Sequence, residues 1–411
     1  MRNYFFNSTI LFAVILFVLV LPNLAFSQFG IPKIPKIPKP TPEVKTESNS
    51  GQNNNSGQKN KSDQKIIIPG HYDFSATEPT LDKTSLTMNI LTATYSNGNA
   101  TETWIWTPGP KFKVNGPIDS GSVVTVSFSM PDGTAWFSQV CAKLNKVSSG
   151  YPVDVECESH TPEKDKKATA QSGVFGFEIT LSNELTGKKF DLITGKFKVD
   201  KYLDNPTNNP KFNKHFIFYT PLDWKMPMAL VYTTQPKDQY DTFGPLKVMM
   251  WFRGERKIIE YNNLVGHLFY NGKEVAATDA VGSNNVTDPI SDLTTAQSPS
   301  AWDQHGMVFT FNAKAFERDS TNGDVWFPIY KNPGEYEIKV LQNGKLSRTA
   351  KFTVDSGGNI VNNGLNKENK LGTTKILIPA TIIGEQDTKF DKTAWQSQGF
   401  WGIPLVGFTA Q

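Results

Sequence analysis

The side chains able to do chemistry are few and scattered. The five histidines, His71, His160, His215, His267 and His305, show no metal-ligand spacing. His267, between Gly266 and Leu268, reads as a paired core or edge residue. The chain has no His-Glu-x-x-His pair, no Gly-x-Ser-x-Gly elbow, no phosphate-binding loop and no Gly-x-Gly-x-x-Gly at the start of a helix. Asp319-Ser320-Thr321-Asn322-Gly323-Asp324 is only loosely like a calcium loop, because glycine stands fifth rather than sixth and no glutamate stands twelfth. Asp279, Asp288, Asp292 and Asp303 could cap a calcium ion but read first as solvated loop charges. Cys141 and Cys157 are the two cysteines, placed symmetrically about Ser148-Ser149-Gly150-Tyr151-Pro152. On adjacent hairpin strands they would face each other, which predicts a structural disulfide outside the cytoplasm and leaves no cysteine nucleophile. No enzyme, metal or cofactor is expected.

Binding has more material. Trp302, Asp303, His305, Asp324, Trp326 and Tyr330 come from two stretches, roughly 280–304 and 316–334. Aromatic faces beside carboxylates suit stacking on a sugar or gripping a peptide. These six are the candidate ligand-binding residues, with a protein or a glycan as partner. A plain covering role for Trp302 and Trp326, and a hydrolase assembled from loop carboxylates, are the competing readings.

What would position them is β structure. From Ile66 onward short runs alternate apolar and polar residues, as at Val123 to Phe128, Val174 to Leu181 and Tyr336 to Leu341. Asn271-Gly272 and Asn343-Gly344 are two-residue hairpin signals, since both residue types tolerate positive φ. No long amphipathic helix emerges. An internal repeat accompanies the alternation. Trp106-Thr107-Pro108-Gly109-Pro110-Lys111 is similar to Tyr232-Thr233-Thr234-Gln235-Pro236-Lys237 at an offset of 126, which also lays 122–128 on 248–254. Both copies close alike, at Lys196-Phe197-Lys198-Val199-Asp200 and Lys351-Phe352-Thr353-Val354-Asp355. At fold level the pattern resembles immunoglobulin-like or fibronectin-like sandwiches. The expected chain is all-β, with two tandem sandwich domains at 66–204 and 211–355. A linker at 356–375 follows, then an aromatic segment at 376–411 that docks on a sandwich as an added strand, with a partner-binding tail as the competing reading.

The N-terminus addresses the chain. Arg2, the apolar run Ile10 to Leu21 and the small-residue pattern at Ala25-Phe26-Ser27 have the order of a secretory signal, giving a signal peptide at 1–27. Counted from Tyr4 the apolar stretch is longer, which leaves an uncleaved anchor as the alternative. Residues 28–65 begin with Ile-Pro-Lys repeated from Ile31 to Lys39 and continue rich in Asn, Gln, Ser and Lys, too polar to bury a core. A disordered linker is expected there. Of the formal net charge of +3, Arg2 carries +1 and residues 28–65 carry +4, which leaves −2 on 66–411. That lacks the basic footprint of nucleic-acid binding. The expected protein is secreted, periplasmic or on the cell surface, with no membrane span after cleavage. It would act by binding or as an envelope component.

Overall fold

The computed structural model describes residues 77–96, 102–145, 152–157, 167–204, 215–233, 245–255, 264–280, 286–291, 302–313, 326–361, 364–372, 375–384 and 390–411. They are mostly antiparallel β-strand. No helix among them is long and apolar enough to cross a membrane.

The first lobe contains β1 (Thr80–Ser96), β2 (Glu102–Asn115), β3 (Ser122–Ser129), β4 (Ala135–Leu144), β5 (Val153–Glu156), β6 (Gly173–Asn183), β7 (Lys188–Asp204) and β8 (His215–Tyr219). Its strands form two sheets, ordered β1-β2-β5 and β4-β3-β6-β7-β8. Alternation fixes which face goes inward. Val124, Val126 and Phe128 of β3 are buried together with Phe175, Phe177 and Ile179 of β6 and with Met88, Phe112 and Val114 from the other sheet. Trp106 is fully buried at the centre, edge-on to Phe175 at 4.8 Å and to Trp136 at 5.5 Å. Its Nε1 donates to the Gln171 carbonyl at 2.8 Å, so the burial leaves no orphan donor.

Cys141 and Cys157 are bonded, but not across a hairpin. Cys141 lies on β4 and Cys157 follows β5, in different sheets. The bond therefore joins the two sheets, which corrects the expectation of adjacent strands. The reason lies in partner choice. β4 takes β3, while β5 takes β2, where Lys111 stands opposite Glu156 and Lys113 opposite Asp154.

The second lobe contains β9 (Met228–Thr233), β10 (Leu246–Glu255), β11 (Leu264–Tyr270), β12 (Lys273–Ala277), β13 (Val286–Ser291), β14 (Trp302–Thr310), β15 (Asn312–Ala313), β16 (Gly334–Gln342), β17 (Lys345–Val354), β18 (Ile360–Val361) and β19 (Ile376–Ile382). Among the described residues they form one sheet in the order β13-β14-β10-β9-β19-β17-β16-β11-β12-β15, with β18 on β17. β15 follows β14 after Phe311 alone, yet it pairs with β12 at the far end of that path. The sheet therefore curls until its ends nearly meet, around a core that includes Val248, Phe252, Leu268, Phe309, Ile338 and Phe352. The expected hairpin turns are present. Asn271 and Gly272 have φ of 46° and 80°, and Asn343 and Gly344 have 51° and 74°.

The offset of 126 does not carry over into the strand pairing. At an offset of 126, β3 falls on β10, yet β3 neighbours β4 and β6 while β10 neighbours β9 and β14. The strand in the place of β3 is β11, which lies between β12 and β16. The closing hairpins do correspond. Gly173 pairs with Val199 and Gly334 with Val354, and both glycines have φ of 149°. Two residues on, Phe175 stacks on Phe197 at 5.7 Å and Tyr336 on Phe352 at 5.0 Å. The register then slips after Ile179 in one hairpin and after Val340 in the other, at the same distance from the glycine.

Two segments tie the lobes together. A 3-10 turn at Asp223–Lys225, buried throughout, runs from β8 toward β9. After β17 come the short helix α1 (Leu365–Glu368), strand β19, and the short helices α2 (Ala394–Ser397) and α3 (Gly399–Gly402). Phe400, Trp401 and Phe408 are buried in the cluster that holds Phe177 and Trp224.

Candidate functional site: the cleft between the lobes

Of the six aromatic and acidic residues singled out in the sequence, five have a described backbone, and it lies in separate places. Trp302, Asp303 and His305 lie on β14 opposite Glu255, Gly254 and Phe252, at the end where β10 finishes. The side chains of these three lie outside the described set, and Asp324 lies outside the described residues altogether. Trp326 is half-buried, and Tyr330 occupies the 3-10 turn Ile329–Lys331. The Tyr330 carbonyl lies against Gly358, just past β17, where a Cβ would come within 2.5 Å of it. Arg348, nearer the start of β17, donates to the Trp251 carbonyl at 3.2 Å and lies over the Phe252 ring. From Arg348 to Val354 the strand runs about 20 Å at roughly 3.3 Å per residue. The β14 group and Tyr330 therefore stand at opposite ends of the second lobe.

A concavity lies elsewhere, between the lobes. In β1 and β2 the alternation sends Met88, Ile90, Phe112 and Val114 into the first core. The same alternation turns Thr87, Asn89, Lys111 and Lys113 outward, where they line a cleft with Asp154 and Glu156 of β5. The facing wall comes from β10. Its Val248, Met250 and Phe252 enter the second core, while Met249 and Trp251 point back to the first cluster and line the cleft. Lys225 and Lys375 complete that wall, and the cavity measures about 690 Å³.

The electrostatics of the cleft are ordered by pairing. Lys111 meets Glu156 at 2.6 Å and Lys113 meets Asp154 at 3.1 Å, directly opposed across β2 and β5. The Lys225 ammonium lies 5.3 Å from the rings of Trp224 and Trp251 and 5.6 Å from Trp401. Indole faces attract a cation through their negative quadrupole, and more strongly where water is excluded. Next to it, Asp223 accepts from Arg253 at 2.8 Å and from the Asp391 backbone at 2.9 Å, so the turn, β10 and the tail share one carboxylate. The Asp391 carboxyl is held below its ordinary range by the Thr393 hydroxyl and amide. Lys375 lies over the Tyr232 ring at 5.5 Å, and burial pushes the Tyr232 phenol up to about 12.

The tail keeps this arrangement at a local cost. Phe400 and Trp401 have φ of 45° and 65°, a left-handed backbone that bulky residues rarely adopt. Strain of that kind costs about 1–3 kcal/mol per residue. It is offset by burying both rings against Trp224, at 5.3 Å and 5.7 Å.

The sequence held a signal for this cleft. Lys111 and Lys113 alternate with core residues, as do Asp154 and Glu156. What it did not show was that these two runs pair. Among the described residues no group of three or more His, Cys, Asp or Glu could hold a metal ion. No family model matches the chain, and no curated protein or solved structure matches it either.

Proposed function

We propose that this is an exported, non-catalytic protein of two tandem immunoglobulin-like β-sandwich domains, a binding or structural component of the cell envelope or exterior. Its ligand or partner is seated in the cleft between the sandwiches. The domain reading is supported by pairing order. β1-β2-β5 and β4-β3-β6-β7 in the first lobe, and β13-β14-β10-β9 and β12-β11-β16-β17 as the two halves of the second lobe's single curled sheet, have orders compatible with the two-sheet scheme of that fold. Tyr336 at the start of β16 donates from its hydroxyl to the Asn332 carbonyl at 2.6 Å, in the manner of the tyrosine corner. Export is supported by the N-terminal signal pattern and by the Cys141–Cys157 bond, since such bonds persist in oxidising compartments.

The observation that carries the binding role is the cleft itself. Two sheet faces that would otherwise be solvated confront each other, held apart by a turn and a tail whose aromatic side chains are buried. Rigid walls of this kind lower the ordering cost of association. Asn89→Trp fills the cleft from the exposed face of β1 and tests the reading. Wild type and variant are compared for retention on insoluble polysaccharides and on envelope polymers, with thermal unfolding as a control for fold. The expected result is retention by wild type and loss in the variant. Equal retention, or turnover on a glycan and ester panel that Asp303→Ala or Asp324→Ala abolishes, overturns it.

A further inference from the structure

We infer that the Cys141–Cys157 bond is a redox latch on the cleft: its reduction frees β5 and turns a wall whose charges cancel in pairs into a basic one. The inference rests on the cleft being where the protein binds. The bond sits where a thiol can reach it. Among the described residues β4 is an edge strand of its sheet. Ala142 stands opposite Val124 and Val140 opposite Thr125, so Cys141 between them is the extra residue of a bulge, with no counterpart on β3. Cys141 is half-buried, whereas Cys157 is buried. A dithiol reductant supplies the two electrons. One of its thiolates attacks the Cys141 sulfur, the S–S bond breaks, and Cys157 leaves as a thiolate that takes up a proton. The reductant's second sulfur, as thiolate, then displaces Cys141, which is protonated in turn, and the reductant departs as its own disulfide.

Little else holds β5. The strand is four residues long and, among the described residues, pairs with β2 on one side only. Of the four, Val155 is the one that is buried. The Cys157 amide donates to the Pro110 carbonyl at 3.1 Å. Lys111–Glu156 and Lys113–Asp154 join side chains that are 40% to 80% exposed, and ion pairs so open to water add little. β2 is held independently. It pairs with β1 from Glu102 to Asn115, and its Phe112 and Val114 are buried in the first core. Lys111 and Lys113 therefore stay on the wall when Asp154 and Glu156 leave it. Losing two carboxylates makes that wall more positive by two charges. The oxidised cleft then suits an uncharged polar ligand, and the reduced cleft draws an anion.

The test compares the purified protein with and without dithiothreitol, by amide hydrogen exchange and by calorimetric titration with inorganic triphosphate. On reduction, exchange at 153–156 is expected to quicken about tenfold or more while 102–115 and 173–199 stay protected. Triphosphate is expected to bind about tenfold tighter to the reduced protein, with the gain lost in raised salt. Lys111→Gln with Lys113→Gln should remove that gain. Asp154→Asn with Glu156→Gln keeps the bond and should produce the gain without reduction, so the charge argument is read on a protein that cannot have unfolded through loss of the bond. Unchanged exchange at 153–156 overturns the latch. Exchange that rises equally across 80–204 also overturns it, because the bond would then support the whole lobe. Release of β5 with unchanged triphosphate affinity overturns the change of charge. Exchange is read without any ligand. If β5 is released and Asn89→Trp leaves retention unaltered, the latch stands and the binding role of the cleft fails.

Discussion

The two lobes are both antiparallel β and are closed by different means. The first is stapled by Cys141–Cys157 across its sheets and extended by β8, which among the described residues pairs with β7. The second has no cysteine and is completed by β19, which pairs with β9 through Ile376–Pro379 and with β17 through Ala380–Ile382. A covalent bond stabilises chiefly by restricting the unfolded chain. A late strand stabilises by satisfying two edges and burying Ile376 and Ile378. Closure is thus covalent in the first lobe, whose Phe177 the tail's Trp401 also covers, and in the second it depends on a distant strand.

Removing 376–411 puts that contrast under the greatest load. The second lobe is expected to lose cooperative folding, because β9 and β17 become bare edges, while the first keeps its bond and its Trp106 core. Limited proteolysis with mass mapping checks this: cuts should concentrate in 228–361 and spare 80–204. Uniform protection would show that β19 is dispensable. Cys141→Ser with Cys157→Ser should act on the other lobe, costing about 3 kcal/mol for a loop of this length. Calorimetry should show the first transition falling and the second holding. A joint fall would mean that the lobes melt as one.

Alanine at the equivalent glycines sharpens the comparison. At Gly334 a Cβ would meet Tyr270 Cε2 at 2.8 Å, and at Gly173 it would meet Pro131 Cγ at 3.0 Å, both at φ of 149°. Each should cost about 1–3 kcal/mol. Gly334→Ala should be the worse, as measured by denaturant midpoints, and the reverse order would undo the positional equivalence.

The smallest effect belongs to alkaline pH. Burial raises the Tyr232 and Tyr336 phenols in the second lobe, Tyr232 to about 12, and burial with the Asp200 charge raises Tyr219 in the first to about 12. A phenol raised above its ordinary value of about 10 favours the fold while neutral. That contribution is whole below pH 10 and is lost as pH climbs from about 10 to about 12. Tyr232→Phe should flatten the loss in the second lobe and Tyr219→Phe in the first. A pH-melting series in which neither variant changes the alkaline limb would remove the argument.

Much of the fold was legible in the chain. The runs Val123 to Phe128 and Val174 to Leu181 are strands because period-two alternation leaves one face apolar, whatever the partner. Asn271-Gly272 and Asn343-Gly344 turn as they do because those residues accept positive φ. The repeat was legible only where its words lie within one hairpin, at Lys196 to Asp200 and Lys351 to Asp355. The match between Trp106 to Lys111 and Tyr232 to Lys237 led to a register one strand out, since short turn words recur without implying equal neighbours. The candidate site was not legible as a place in the fold. Trp302 and Tyr330 are separated by the length of a strand, and linear order holds no information about which end of a sheet a loop serves.

What the amino-acid sequence determined by itself is local: which segments extend, which face of each is apolar, where the chain reverses, and that no catalytic or metal-binding motif is written in it. What only the tertiary structure decided is partnership. Cys157 lies beside Cys141 across two sheets, Lys111 and Lys113 meet Glu156 and Asp154, and three indoles gather near Lys225. Alternation is set by the backbone of a single strand. Pairing and packing are settled by competition among all the strands for edges and apolar surface, and that competition exists only once the chain is folded.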